Sequence, residues 1–376
     1  MLTRLTERIG SFSLTLFLIC TTSVALACTG ITLRGDDGTI VRARTLEWGS
    51  FDLKAALDIV PRGYRLSAQE MPDGKAGLSW TAKYGFVGTT GLGRPLFADG
   101  LNEKGLSAGL FYLPGFAEYK PYDAALAATS MGPTDLVGYI LAQFETLDEV
   151  RNGLADIHVV ALSEPALGFP APIHVIVTDP TGKSIVIEPV DQTLKIHDAP
   201  LGVITNSPTY DWHVTNLRNY LNLSAISLPE KNVDGIDFKP LGAGSGMIGL
   251  PGDFTPPSRF VRAVAFSKTA RNTSGGYDTV RESFRILDNF NVPAAAAEGT
   301  GHGAGPDDKL LSATQFTTAA DLTNLVFYYH TQFSRRVRMI DLKKIDFGKI
   351  GDKIISRPLD TSREEDILEV QVGAAK

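Results

Sequence analysis

The stretch SVALACTGITLRGDDGTIVRARTLEW, residues 23–48, decides the reading of this chain. It joins the end of an apolar leader to a cysteine and then to a hairpin. Residues 29–34 and 40–48 alternate or run as strand formers, and Asp37-Gly38 between them is a dipeptide favoured in tight hairpin turns. On such a hairpin the second strand returns beside the first. Arg44 and Glu47 are therefore brought toward the sulfur of Cys28, where a guanidinium favours the thiolate and a carboxylate can hold an amine. Taken alone, an Arg and a Glu at a strand end read as a surface ion pair.

Upstream, Arg4 and Arg8 precede IGSFSLTLFLICTTSVALA, residues 9–27, an apolar run of secretory type with Ala25 and Ala27 at the −3 and −1 positions of a cut. The run is broken by Ser and Thr and is short for a span, which disfavours an uncut membrane anchor. Residues 1–27 are thus expected to be a signal peptide and residues 28–376 a single exported domain, periplasmic or secreted. Cleavage leaves Cys28 as the first residue. It also removes Cys20, the only other cysteine of the chain, so no internal disulfide can form.

A cysteine at a chain start carries its own base. The α-amine, with an ordinary pKa of about 7.7–8.0, lies close enough to the thiol at about 8.5 for proton exchange near neutrality. Two other readings compete: a small buried residue that happens to follow the cut, and a lipid-anchor cysteine with both thiol and amine blocked. Lipoprotein leaders favour Leu where this chain has Ala25, which counts against the second.

At these residues the chain resembles the choloylglycine hydrolase (bile-salt hydrolase) and penicillin V acylase family of N-terminal-nucleophile hydrolases. The blocks that carry the likeness are CTGITL (28–33), ARTLEW (43–48), FADGLNEKGLSAGLFYLP (97–114), GVITNSPTYDWHVTNLRNY (202–220), IGLPGDFTPPSRFVRA (248–263) and RMIDLKKIDF (338–347). The resemblance implies Cys28 as nucleophile, Arg44 as the arginine that contacts it, and Glu47 where relatives have Asp, one methylene shorter. It further implies Tyr112 and Asn206 as oxyanion donors, Arg259 as a second arginine of the site, and Leu46 and Trp48 at the substrate. Tyr112 is similar to the Tyr of penicillin V acylases rather than the Asn of typical bile-salt hydrolases. Each of three residues also has a plain alternative. Asn206-Ser-Pro is ordinary turn chemistry, Tyr112 could end a buried strand, and Arg259 could be a surface charge at a helix start.

The implied fold is α+β, a four-layer α-β-β-α sandwich, and the order of elements permits it. Strand signals fill the first hundred residues, with turns expected at Asp37-Gly38, Gly91 to Gly93 and Asp99-Gly100. Residues 133–154 have helical spacing, with Leu136, Ile140 and Phe144 on one face, and then a second short helix. Residues 172–190 read as a hairpin around Asp179-Pro180-Thr181-Gly182. Residues 258–270, 277–290 and 318–330 read as helices before a closing strand in 335–347. Residues 221–255 are Gly/Pro-rich with little periodicity, a loop that is functional or an assembly arm; the resemblance implies a homotetramer built with it. Residues 291–308, NVPAAAAEGTGHGAGPDD, are the one compositionally biased patch.

A net charge of −6 and the lack of a Lys/Arg-rich run argue against a nucleic-acid partner. The six histidines lack paired metal-ligand spacing, so no metal or cofactor is expected. GAGSGMIG lacks a Gly-x-Ser-x-Gly frame around Ser245, and GTGHGAG is followed by Pro306 where a dinucleotide motif needs a third Gly. The sequence thus points to a cysteine amidase acting on a linear amide between a bulky apolar acyl group and a small polar amine. Conjugated bile salts, phenoxymethylpenicillin and N-acyl homoserine lactones are the candidate substrates.

Overall fold

A computed structural model describes residues 28–49, 51–298, 311–364 and 367–370. The expected signal peptide and the Gly-rich end of the biased patch lie outside the described residues.

Two antiparallel sheets face each other. The smaller has five strands in the order Thr29–Arg34, Ile40–Trp48, Ala313–Asp321, Val326–Thr331 and Arg338–Asp341. The larger has eight, in the order Thr193–Asp198, Ser184–Val190, Ile173–Thr178, Ser107–Tyr112, Leu96–Asn102, Phe86–Gly91, Ala56–Val60 and Ile355–Pro358. Polar bonds cross between them: Arg44 Nη1 donates to the carbonyls of Ala98 (2.9 Å) and Leu110 (2.7 Å), and the Thr318 hydroxyl donates to the Asp99 carboxylate. Helices Pro256–Thr269 and Gly276–Leu287 pack on the outer side of the smaller sheet, and helix Leu136–Gln143 on the outer side of the larger. The result is the α-β-β-α sandwich that the resemblance implied.

Sandwiching explains the burial pattern of the second strand. All nine residues of Ile40–Trp48 are buried, because one face meets the other sheet and the opposite face meets helices. Such a strand has no solvent face, so it shows no simple apolar and polar alternation.

Two local expectations are corrected. Residues 318–330 are not a helix. They belong to two strands, Ala313–Asp321 and Val326–Thr331, joined by a turn in which Asn324 donates from its backbone and side chain to the Asp321 carboxylate, each at 2.8 Å. Doubly buried strands are apolar at consecutive positions, and a short run of that kind cannot be told from a buried helix by periodicity. Asp99-Gly100 is not a turn either; it lies inside strand Leu96–Asn102. Asp99 turns inward to accept from Thr318, and a Cβ at Gly100 would stand 2.6 Å from Leu141 of the covering helix. The turn falls later, where Gly105 N–H donates to Asn102 C=O at 2.9 Å with Gly105 at φ 88°. The remaining hairpins, at 37–38 and 179–182, form as expected. So do the helices at Leu136–Gln143, Leu147–Gly153, Pro256–Thr269 and Gly276–Leu287.

Candidate active site

Cys28 sits at the entrance to the first strand, where the hairpin register places Gly30 opposite Arg44 and Thr29 opposite Thr45. Only glycine fits at position 30: a Cβ there would lie 2.7 Å from Arg42 Nη2 and 2.8 Å from the Phe111 ring. The glycine backbone also exchanges hydrogen bonds with Ile204, N–H to O at 2.8 Å and O to N–H at 3.0 Å. That bridge brings Asn206, 178 positions away in sequence, to the cysteine.

Asn206 is a junction rather than a turn residue. Its Oδ1 accepts from Cys28 N at 2.9 Å and from Arg259 Nη2 at 2.7 Å, while its Nδ2 donates to Tyr112 C=O at 2.8 Å. An amide nitrogen carries two hydrogens, so one remains for a further acceptor. Behind it, His213 Nε2 faces Asn206 C=O at 2.9 Å, its ring stacked on Phe260.

Arg259 is fully buried, not a surface charge. Helix Pro256–Thr269 begins at a Pro pair, and its first turn aims the guanidinium inward. The fork donates to Phe254 C=O at 2.8 Å, to the Cys28 carbonyl, to Thr29 Oγ1 at 3.0 Å and to Asn206. Arg44 is likewise fully buried, stacked over Phe111 at 4.3 Å, with Nη2 left without a partner. Burial pushes the Cys28 thiol up, against the positive charges of Arg44 and Arg259 and a hydrogen bond from the Glu47 backbone, all of which favour the thiolate.

Glu47 Oε1 accepts from Thr314 Oγ1 at 2.7 Å, and its Oε2 has no partner. Burial raises this carboxyl to about 7, with Thr314, Arg259, Thr45 and Arg44 pulling the other way. Such a carboxyl still holds a proton that the unfolded chain has released. Its contribution to stability is complete below about 4.5 and is lost as pH rises to about 7. His213, lowered to about 4 by burial, acts in the opposite sense, losing its contribution as pH falls below about 6.5. Comparing native protein with Glu47→Gln cancels the histidine. The native-minus-variant stability should fall between pH about 4.5 and 7 and level off above that. A difference that stays flat across this window, by denaturant melts at each pH, refutes the buried titration.

Cys28 lines an apolar cavity whose walls include Leu46, Trp48, Phe51, Leu110 and Ile173. Tyr112 also lines it, its hydroxyl buried and unpartnered, which raises its pKa by desolvation. All eight residues singled out from the sequence therefore converge: Cys28, Arg44, Leu46, Glu47, Trp48 and Tyr112 at the cavity, with Asn206 and Arg259 bonded behind Cys28. Sequence reasoning missed Thr314, which holds Glu47 from a strand 267 positions away. No spacing rule reaches that far; only strand register does. Among the described residues no His/Cys/Asp/Glu group is arranged to hold a metal ion, and no helix is long and apolar enough to cross a membrane.

Residues 28–356 match the family described as linear amide C–N hydrolases, choloylglycine hydrolase family. The match begins at Cys28 itself. The chain is 32% identical over 321 residues to a bile salt hydrolase/transferase of Clostridium perfringens, covering 84% of this chain and 93% of that one. It is 27% identical over 364 residues to a penicillin V acylase of Pectobacterium atrosepticum, covering 92% and 89%. Among solved structures it is similar to a cysteine-to-alanine variant of the conjugated bile acid hydrolase from Clostridium perfringens. That likeness has a TM-score of 0.74 at 29% identity and covers 92% of this chain and all of that one. A second structure of that hydrolase carries an arginine-to-leucine change; the two substituted positions are sixteen apart, the spacing of Cys28 and Arg44 here. By its sequence match, its sandwich and the constellation around Cys28, the chain belongs to the choloylglycine hydrolase family of linear amide C–N hydrolases.

Proposed function

We propose that this protein is an exported amidase that hydrolyses conjugated bile salts, freed for catalysis by removal of residues 1–27. The observation that carries the reading is the placement of Cys28, with its nitrogen on Asn206 and its side chain in the wall of an apolar cavity. Once the preceding peptide bond is cut, the α-amine keeps Asn206 Oδ1 as acceptor, and its lone pair takes the thiol proton. The sulfur attacks the amide carbonyl. Tyr112 Oη and the second hydrogen of Asn206 Nδ2 meet the oxyanion, while Arg44 and Arg259 favour the negative sulfur. Glu47 steadies the ammonium. The C–N bond then breaks as the ammonium returns its proton to the leaving amine, and a water activated by the same amine hydrolyses the thioester, releasing the acid and restoring the thiol.

The apolar lining suits the hydrocarbon body of a steroid acyl group. Tyr112 favours a second reading, phenoxymethylpenicillin as substrate. The lipoprotein reading fits poorly, because Cys28 is only 5% exposed and its side chain lines an interior pocket rather than a surface from which a lipid would reach a membrane. A homotetramer is supported by the 221–255 excursion. There Leu221, Ile226, Ile236, Phe238, Leu241 and Ile248 stand exposed around the hairpin Lys231–Val233 and Ile236–Phe238.

The experiment is a side-by-side assay of purified protein starting at Cys28 with glycocholate, taurocholate, phenoxymethylpenicillin and a long-chain acyl homoserine lactone. Fastest release from the two bile salts is the expected outcome. Preference for phenoxymethylpenicillin replaces the substrate while keeping the chemistry, and amine release from none of them refutes the assignment.

A further inference from the structure

Two buried histidines take no part in the attack or the proton transfer, yet both point at the backbone around Asn206. His174 stands on strand Ile173–Thr178 and is 1% exposed; its Nε2 faces the Thr205 carbonyl at 3.2 Å and its Nδ1 the Glu188 carboxylate at 2.9 Å. His213 stands on helix Tyr210–Asn216, and its Nε2 faces the Asn206 carbonyl at 2.9 Å. A carbonyl only accepts, so each Nε2 carries the hydrogen. Glu188, fully buried, also accepts from Tyr210 N–H at 3.0 and 3.1 Å, which ties the start of the helix that carries His213 to the same carboxylate. The two gripped carbonyls are consecutive. One belongs to the peptide plane before the Asn206 Cα and the other to the plane after it, so holding both leaves neither φ nor ψ of Asn206 free to turn.

We propose that His174 and His213 are positioning residues that clamp the backbone of Asn206 and so aim its side-chain amide at the carbonyl oxygen under attack. The inference rests on the amidase reading above, in which Asn206 Nδ2 donates to the oxyanion, and adds what sets the direction of that donor. Thr205 and Asn206 lie in neither strand nor helix, so their carbonyls have no place in a regular ladder. The two imidazoles supply the missing donors. An oxyanion donor acts by being fixed in direction before the charge develops, and a displacement of about 1 Å costs up to about 10²-fold in rate. A clamp on the two flanking peptide planes provides that fixity without touching the substrate.

The test separates the two ring nitrogens of His174. Glutamine places an amide N–H near the position of Nε2, and asparagine, one methylene shorter, near that of Nδ1. His174→Gln therefore keeps the donor to Thr205 and gives up the one to Glu188, and His174→Asn does the reverse. Kinetics are read on whichever of the four amides above the native protein cleaves fastest. His174→Asn should lower kcat by about tenfold or more with KM within about twofold, and His174→Gln should recover most of that loss. Stability by denaturant unfolding should follow the opposite order, because His174→Gln takes a hydrogen bond from the buried Glu188 carboxylate. The pair His213→Asn and His213→Gln puts the same question from the helix, where Nδ1 has no partner to lose, and stands in if a variant at 174 does not fold. Native kcat in the asparagine variants, a rise in KM in place of the fall in kcat, or a rate that merely tracks stability means that the histidines only fill the interior. Any of these overturns the inference and leaves the amidase reading standing. Native protein that releases amine from none of the four overturns both.

Discussion

Cys28→Ala protein is expected to fold and to release no amine from any conjugate, a fall of about 10⁴-fold or more in kcat. The sulfur is the attacking atom, and nothing else at the cavity can replace it. Structurally the change is small. A side chain of similar size stays in the same pocket, the Cys28 backbone keeps its bonds to Asn206 and Arg259, and the thermal midpoint should move by no more than about 5 °C. A companion protein carrying one extra residue before Cys28 keeps the thiol but turns the amine into an amide. It should be equally inactive and regain activity when that residue is removed by a protease. Turnover by the extended protein would disprove the amine as proton carrier, and turnover by the alanine variant would disprove the nucleophile.

Arg259→Leu is the second large effect, and it strikes stability as well as turnover. The guanidinium satisfies Phe254 C=O, Cys28 C=O, Thr29 Oγ1 and Asn206 Oδ1 at once, all in the buried layer between helix Pro256–Thr269 and the first strand. Leucine takes the guanidinium donors from the Phe254 and Cys28 carbonyls and Thr29 Oγ1, leaves Asn206 Oδ1 with Cys28 N alone, and removes the charge that offsets the buried Glu47. Losing one member of so buried a polar cluster costs about 3–5 kcal/mol. Denaturant unfolding should show that loss and kcat should fall by at least about 10³-fold. Arg259→Lys should rescue little of either, since an ammonium cannot reproduce a planar fork. Retention of native stability in Arg259→Leu would mean that the cluster is not the hub described here.

These two residues show how differently the site was written into the chain. Cys28, Arg44 and Glu47 were legible because they share one hairpin: a turn pair at Asp37-Gly38 and a two-residue side-chain period suffice to bring the second strand back to the first. Arg259, Asn206 and Tyr112 had bland local meanings, a helix-start charge, a turn amide and a strand-end phenol. Only the likeness of whole blocks lifted them out. The same limit produced the wrong helix at 318–330, where a doubly buried hairpin has the apolar density of a core helix, and the wrong turn at Asp99-Gly100, where an inward carboxylate and a packing glycine imitate turn chemistry.

What the sequence determined by itself is local: the hairpin that follows Cys28, the alternation or helical period of most elements, and the order of blocks that marks the family. The tertiary structure alone decided which distant groups meet. It set Thr314 on Glu47, and Ile204 on Gly30 so that Asn206 reaches Cys28. The physical reason is that strand register and layer packing act over hundreds of positions. A residue's partners there are chosen by which sheet face closes on which, a choice that no window of neighbouring residues contains.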